Sequence, residues 1–99
     1  METKVIENGD AAEIILSGRL DTKTSEEADK IFTEVGSKYN DVTLNMENLN
    51  YISSAGIRTI RNLYMILYRA DGQLHAKNIC DNVYQVLEMT GITVILGLE

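Results

Sequence analysis

The pattern of polar and apolar positions marks three short strand-like stretches in the first half of the chain. Two of them, residues 3–7 and 12–17, are separated by Asn8-Gly9-Asp10, where Asn-Gly supplies the positive φ of a tight hairpin turn. The third covers residues 41–46, alternates with a period of two and contains β-branched residues. We therefore predict a hairpin and a separate strand.

Two longer stretches place apolar residues at the three- and four-residue steps of one helical face. The first follows a capping segment at residues 24–27, whose acidic side chains suit a first helical turn, and it ends near Gly36. The second ends at Asp71-Gly72. The apolar stripes are Ala28, Ile31, Phe32 and Val35 in the first, and Ile57, Ile60, Leu63, Tyr64 and Leu67 in the second.

The last part of the chain predicts three more elements. They are a strand over residues 73–79, a helix over residues 82–90 that Gly91 ends, and a strand over residues 92–96. The order is then β-β-α-β-α-β-α-β, in which right-handed crossovers give parallel strand pairs and the hairpin gives an antiparallel one. We predict an α/β fold, a small mixed sheet of about five strands with helices packed against it.

Length and composition limit where such a chain acts. Its 99 residues suit one domain with one core, and no linker-like segment interrupts residues 1–99. No stretch approaches the ~20 apolar residues of a membrane span, and the amino terminus lacks the pattern of a secretory signal. The lone Cys80 forms no internal disulfide. We expect a single cytoplasmic domain without membrane insertion.

Charge restricts the partners. Nine basic and fifteen acidic side chains give a formal net charge of −6. That charge repels the phosphate backbones of nucleic acids, so we expect no direct nucleic-acid binding. It would also steer the domain toward a partner that carries a basic patch, although most acidic surfaces are simply solvated.

Two adjacent serines, Ser53 and Ser54, stand between the third strand and the second helix. A helix N-terminus offers unpaired N–H groups and a partial positive charge, so a hydroxyl there can cap the backbone or carry a phosphate. Capping is the commoner use of a short polar side chain at this place. The segment alone therefore favours capping and leaves phosphorylation as the alternative.

Four segments carry a further signal: Leu16-Ser17-Gly18-Arg19-Leu20-Asp21, residues 42–46, Leu49-Asn50-Tyr51-Ile52-Ser53-Ser54-Ala55-Gly56-Ile57, and Leu87-Glu88-Met89-Thr90-Gly91-Ile92. Together they resemble the STAS family, and within it the bacterial anti-sigma factor antagonists. The resemblance implies a small α/β sandwich that binds an anti-sigma factor, itself a serine protein kinase, and thereby frees a sigma factor. It also implies that phosphorylation of a serine at the start of the second helix prevents this binding and that a serine phosphatase restores it.

The resemblance also assigns residues. Tyr51-Ile52 and Gly56 fix the register, in which Ser54 falls on the phosphorylated position and Ser53 replaces the family's Asp. The cap is then assigned to Ser53 and the phosphate to Ser54. Asp21 matches an acidic residue that lies near the phosphosite in the family. From the residues alone, Asp21 is equally well explained as a turn residue that binds local backbone N–H groups.

Polar and exposed positions of the second helix share a face at three- and four-residue steps, beside the apolar stripe. An exposed, flexible methionine on such a face suits an adaptable contact. The alternative for each single arginine is a solvated side chain whose stem covers apolar surface. The predicted partner-binding residues are Ser54, Ala55, Arg58, Arg61 and Met65, and Asn62 and Arg69 share their face.

Other chemistries find little support. Ser54, His75 and Asp21 are the residue types of a hydrolase triad, but the Gly-x-Ser-x-Gly elbow is absent. One Cys and one His make no zinc set, and no Gly-x-Gly-x-x-Gly nucleotide loop occurs. We therefore expect a non-enzymatic protein without metal or cofactor. The resemblance leaves one alternative, because STAS domains also occur as accessory subunits of membrane complexes that transport lipids or anions.

Overall fold

A computed structural model describes residues 1–98 of the chain. The described part contains one sheet of four strands and four helices. The elements are β1 (Glu2–Asn8), β2 (Ala11–Leu20), α1 (Ser25–Lys38), β3 (Asp41–Ile52), α2 (Ser54–Arg69), β4 (Gln73–Lys77), α3 (Asp81–Met89) and α4 (Ile92–Ile95).

The strands lie in the order β1-β2-β3-β4. β1 and β2 form the predicted hairpin, and the other two pairs are parallel. Because β2 and β3 run in the same direction, their carboxyl ends meet at one edge of the sheet, with Leu20 opposite Ile52. The predicted mixed α/β fold is therefore confirmed, and the loops after β2 and β3 begin side by side.

The two faces of the sheet have different chemistry. One carries buried apolar side chains of β2 and β3, and α1 and α2 pack against each other and over the sheet. On the other face, the Glu13 carboxylate accepts a hydrogen bond from Asn45 Nδ2 at 3.0 Å and pairs with Lys77 Nζ at 3.1 Å. We call Glu13, Asn45 and Lys77 the sheet cluster.

The first helix ends at Lys38, two residues after Gly36, near which the pattern predicted its end. Gly36 is buried against α2, and a Cβ there would lie 2.9 Å from Leu63 Cδ1. Glycine at this position allows the close approach of two helices and is not a stop signal. The helix ends two residues later, where the N–H of Tyr39 donates to the carbonyl of Val35 at 3.0 Å.

The predicted closing strand over residues 92–96 is wrong, since this segment forms α4, and the sheet accordingly has four strands instead of about five. Ile92 and Leu96 are both buried, at the four-residue spacing of a helical face. Gly97 then takes a φ of 68°, and the N–H of Leu98 donates to Thr93 O at 2.9 Å. β-branched residues suggested a strand, but burial of one helical side against the core decided the conformation.

Candidate functional site

The serine turn connects the carboxyl end of β3 to the first turn of α2. Ser53 is the N-cap residue, with extended backbone, and its Oγ accepts a hydrogen bond from the N–H of Gly56 at 3.4 Å. The N–H of Ser53 donates to Leu20 O at 2.9 Å, which ties the turn to the end of β2. Ser54 is the first residue of the helix and is exposed. One serine is therefore used by the backbone, and the hydroxyl of the other faces solvent.

Gly56 determines how closely α2 approaches the sheet. It is buried, and a Cβ there would lie 2.8 Å from both the Cγ and the carbonyl oxygen of Leu20 and 2.8 Å from Ile52 Cγ1. Thr59 Oγ1 donates to the Gly56 carbonyl at 2.7 Å within the same buried turn. The first turn of α2 is thus packed closely against the edge where β2 and β3 end, and Ser54 lies on this packed turn.

Asp21 lies in the loop after β2, at the same edge of the sheet. Its Oδ1 accepts hydrogen bonds from the backbone N–H groups of Lys23 at 3.0 Å and Thr24 at 3.1 Å. The Thr24 bond is the main cause that lowers the pKa of the Asp21 carboxyl below its usual value, and the Arg19 guanidinium adds to it. Asp21 therefore organises its own loop as a turn residue, and its carboxylate is ionised beside the serine turn.

Arg19 and Tyr51 belong to the site but were not among the predicted site residues. They are opposite each other in the β2–β3 register, and the Arg19 guanidinium lies 4.0 Å from the centre of the Tyr51 ring. Arg19 Nε also lies 3.6 Å from Asp21 Oδ2. The sequence predicts that β2 and β3 are parallel, but it does not specify the register that places Arg19 opposite Tyr51.

The solvent-exposed residues of α2 form a continuous surface that begins at Ser54. Arg58, Arg61 and Met65 are exposed as predicted, whereas Ala55 is half-buried. Residues at three- and four-residue spacing lie on one side of a helix, so these side chains follow Ser54 in a row. We define the α2 face as Ser54, Arg58, Arg61, Asn62, Met65, Tyr68 and Arg69.

A shallow groove separates the α2 face from α1. Near Ser54 it encloses about 140 Å³, with Glu26 and Asp29 on the α1 side and Arg58 on the α2 side. Farther along, a second depression of about 340 Å³ continues between Asp29 and Arg69. Asn62 Nδ2 donates to Asp29 Oδ1 across the groove at 3.5 Å. The surface that Ser54 adjoins is therefore uneven enough to receive side chains of another molecule.

The residue types of a hydrolase triad are not brought together. His75 lies in β4 opposite Thr43, whereas Ser54 follows the other end of β3. His75 Nε2 instead pairs with Asp41 Oδ1 at 3.1 Å. Across residues 1–98, no group of three or more His, Cys, Asp or Glu side chains has the arrangement of a metal site. Within the same range, no helix has the length and apolar character needed to cross a membrane.

Comparison with protein families gives a match over nearly the whole chain. The family model described as the STAS domain matches residues 2–98. Among curated proteins, the chain is 26% identical over 83 residues to the anti-sigma-B factor antagonist of Staphylococcus aureus. The aligned region covers 81% of this chain and 75% of that protein.

Solved structures share the fold. The Bacillus cell fate determinant SpoIIAA in its phosphorylated form superposes with a TM-score of 0.77 at 16% identity, covering 95% of this chain and 87% of that one. A sulfate transporter family protein from Wolinella succinogenes superposes with a TM-score of 0.79 at 14% identity, covering 95% and 77%. At these identities the likeness shows the fold alone.

Proposed function

The chain belongs to the STAS domain family, and from this membership we propose that it is an anti-sigma factor antagonist. In this function it binds an anti-sigma factor that is a serine protein kinase, and the bound anti-sigma factor releases its sigma factor. Phosphorylation of Ser54 by that kinase ends the binding, and a serine phosphatase reverses the modification. The chain itself acts by binding and not by catalysis, in the cytoplasm, where sigma factors act.

The observation that carries the proposal is that the two adjacent serines have different roles in the structure. Ser53 caps α2 through its hydrogen bond to Gly56 N–H, so its hydroxyl is occupied. Ser54 is exposed at the first helical position and adjoins the α2 face. A kinase can therefore reach Ser54 without unfolding the turn, and a phosphate there lies at the end of a surface suited to a partner. The Asp that Ser53 replaces in the family pattern is not needed for the cap.

A phosphate on Ser54 leaves the fold intact for an electrostatic reason. It adds about −1.5 to −2 charge at a helix N-terminus, where the partial positive charge and free N–H groups favour an anion. Arg58 is four residues away, and side chains at this spacing have Cβ atoms ~5–6 Å apart, so its guanidinium can pair with the phosphate. The modification therefore changes the binding surface while the packed core remains as it is.

The same charge prevents binding if Ser54 lies inside the partner's footprint. A dianion buried in an interface must lose its hydration, and this costs several kcal/mol when the partner supplies no matching cations. Each 1.4 kcal/mol is a factor of about ten in affinity, so a loss of about a hundredfold or more is expected. The switch thus needs one esterified hydroxyl and no rearrangement of the fold.

A second candidate function rests on the fold shared with the Wolinella sulfate transporter family protein. In that case the chain is an accessory subunit that binds a membrane transport complex, and no kinase acts on it. The two functions differ in the partner, a kinase or a transport complex, and in whether Ser54 is phosphorylated. If a transport complex binds the Ser54→Ala and Ser54→Asp variants with equal affinity, the second function is favoured.

The direct test combines phosphorylation and binding. The purified chain is incubated with ATP and each anti-sigma factor kinase of the organism that encodes it, and the product is analysed by intact-mass and peptide mass spectrometry. We expect mass spectrometry to find one phosphate, on Ser54. Calorimetry should show that only the unmodified chain binds the kinase tightly.

The matched control is Ser53→Ala, which removes the neighbouring hydroxyl and should leave the site of phosphorylation at Ser54. Phosphate on Ser53, or equal affinity of modified and unmodified chains, contradicts the proposal. If no kinase of the set binds or modifies the chain, the antagonist function is rejected in favour of another binding role.

A further inference from the structure

Charge is distributed unevenly between α2 and the rest of the molecule. The chain has a formal net charge of −6, yet α2 contains three arginines and no Asp or Glu. Three of the four arginines of the chain are in this helix, whereas all five lysines lie elsewhere. The most basic element of an acidic protein is therefore the helix that begins at Ser54.

Within residues 1–98, the arginines of α2 form no ion pair. In the described part of the chain, Arg19, Lys38 and Lys77 each pair with a carboxylate within 4.0 Å. Arg58, Arg61 and Arg69 are exposed, and none of them has a carboxylate of residues 1–98 at that distance. Their guanidinium groups are available to another molecule.

Acidic groups do lie near one side of this face. Glu26 and Asp29 of α1 line the groove opposite Arg58, but Asp29 already accepts the hydrogen bond from Asn62. Neither carboxylate forms an ion pair with Arg58. The acidic side of the groove therefore limits the positive surface on one flank and leaves the outward side of α2 basic.

Apolar side chains complete the α2 face. Met65 is 39% exposed and Tyr68 is 64% exposed, although both are large hydrophobic residues. The Tyr68 ring stacks on Tyr64 with 5.8 Å between centroids. Arg, Met and Tyr are enriched in protein interfaces while Lys, Glu and Asp are depleted, and this face has the favoured residues and lacks the others.

We propose that the α2 face is the docking surface for an acidic segment of the partner protein. Carboxylates of that segment pair with Arg58, Arg61 and Arg69, and an apolar side chain of the segment packs on Met65 and Tyr68. Helix α2 has 16 residues, which gives a surface ~24 Å long. Guanidinium groups bind carboxylates through two parallel hydrogen bonds, which explains arginine instead of lysine at all three positions.

The inference rests on the proposed function for the identity of the partner and adds the chemistry of its surface. Net charge alone left two readings open, a partner with a basic patch and a solvated acidic surface, whereas the local charge of α2 favours an acidic segment. It also sharpens the switch, because a phosphate on Ser54 meets the carboxylates of the docked segment and competes with them for Arg58. Both effects weaken binding.

The test compares two variants of equal net charge. Arg58→Glu/Arg61→Glu reverses two charges on the α2 face, and Lys4→Glu/Lys30→Glu reverses two exposed charges on β1 and α1. The probe is the set of purified anti-sigma factors, measured by calorimetry at two salt concentrations. We expect the arginine variant to bind at least about a hundredfold more weakly and the lysine variant to stay within about threefold of the original chain.

Equal weakening by the two variants overturns the inference while leaving the antagonist function standing. Absence of binding by the original chain rejects the function instead, and a second probe then decides the inference. It is a pair of 16-residue amphipathic helical peptides that differ only in glutamate or lysine on the polar side. We expect the glutamate peptide alone to shift the backbone NMR signals of α2. Equal shifts with both peptides, or shifts confined to other elements, would show that the face does not select acidic segments.

Discussion

The α2 face and the sheet cluster are both polar surfaces, but their charged groups are used differently. In the sheet cluster, Glu13 contacts both Asn45 and Lys77, and Asn45 Oδ1 also accepts hydrogen bonds from Glu47 N–H and Asn78 Nδ2, each at 3.1 Å. On the α2 face the arginines contact no carboxylate of residues 1–98. Polar groups satisfied within the chain stabilise the fold, and those left unpaired on an exposed helix face are available for recognition.

Among the predictions that compare these two regions, the largest expected effect concerns recognition on the α2 face. Ser54→Asp places a carboxylate where the partner's acidic segment docks, and it should weaken binding by up to about a hundredfold, whereas Ser54→Ala should preserve it. Binding is measured by calorimetry and folding by the thermal midpoint, which should be unchanged in both variants. Equal affinities of the two variants would place Ser54 outside the docking surface.

The second prediction tests whether the sheet cluster is structural. Asn45 is 9% exposed and takes part in three partly buried hydrogen bonds, so Asn45→Ala removes all three and should cost about 1–3 kcal/mol of unfolding free energy. Arg58→Ala/Arg61→Ala removes only exposed charges and should change stability by less than about 0.5 kcal/mol per site. Urea denaturation measures both, and a larger loss from the arginine variant would reverse the comparison.

A smaller effect separates the two serines. Ser53→Ala removes the N-cap hydrogen bond to Gly56 and should destabilise the protein by ~1 kcal/mol. Ser54→Ala is the matched control and should leave the free energy of unfolding nearly unchanged, since Ser54 makes no side-chain cap. If both variants destabilise equally, the hydroxyl of Ser54 has a structural role and is not free for modification.

The smallest expected effect is a dependence of stability on acid pH. Hydrogen bonding from Asn45 is the main cause that lowers the pKa of Glu13, and Lys77 contributes. A carboxyl whose pKa is lower in the folded state stabilises the protein above its unfolded value near 4.5, and this contribution is lost as the pH falls through the folded value.

Glu13→Gln should therefore reduce the decrease in unfolding free energy between pH 6 and pH 3. Glu47→Gln is a suitable control because Glu47 is exposed and its side chain forms no ion pair within residues 1–98. Part of the decrease should remain in Glu13→Gln, since the pKa of Asp21 is lowered as well. Identical pH profiles for the two variants would show that the sheet cluster contributes nothing to acid stability.

The sequence predicted seven of the eight elements in the right order and failed at the last, which is a helix and not a strand. These seven elements could be predicted because hydrophobic periodicity and turn residues are local signals. Segment 92–96 has β-branched residues and no clear period within its short length, so local preference pointed to a strand. Its helical form depends on which side chains the core covers, and no local pattern contains that information.

The candidate site shows the same division. Ser54 and the α2 face could be proposed from the sequence, because a serine pair stands between a strand and a helix and because Arg58, Arg61 and Met65 have helical spacing. Two contacts join residues more than thirty positions apart. Arg19 contacts Tyr51, and Gly56 packs against Leu20. Those contacts follow from the parallel register of β2 and β3, which sequence spacing does not specify.

By itself the sequence determined the family, the mixed sheet and the position of a hydroxyl at the start of an amphipathic helix, because each is written in residue types and their local spacing. The tertiary structure alone decided which charges are paired and which are free. Ion pairs form between side chains that folding brings within a few ångströms, whereas net charge counts them regardless of position. For this reason an acidic chain can present a basic helix on its surface.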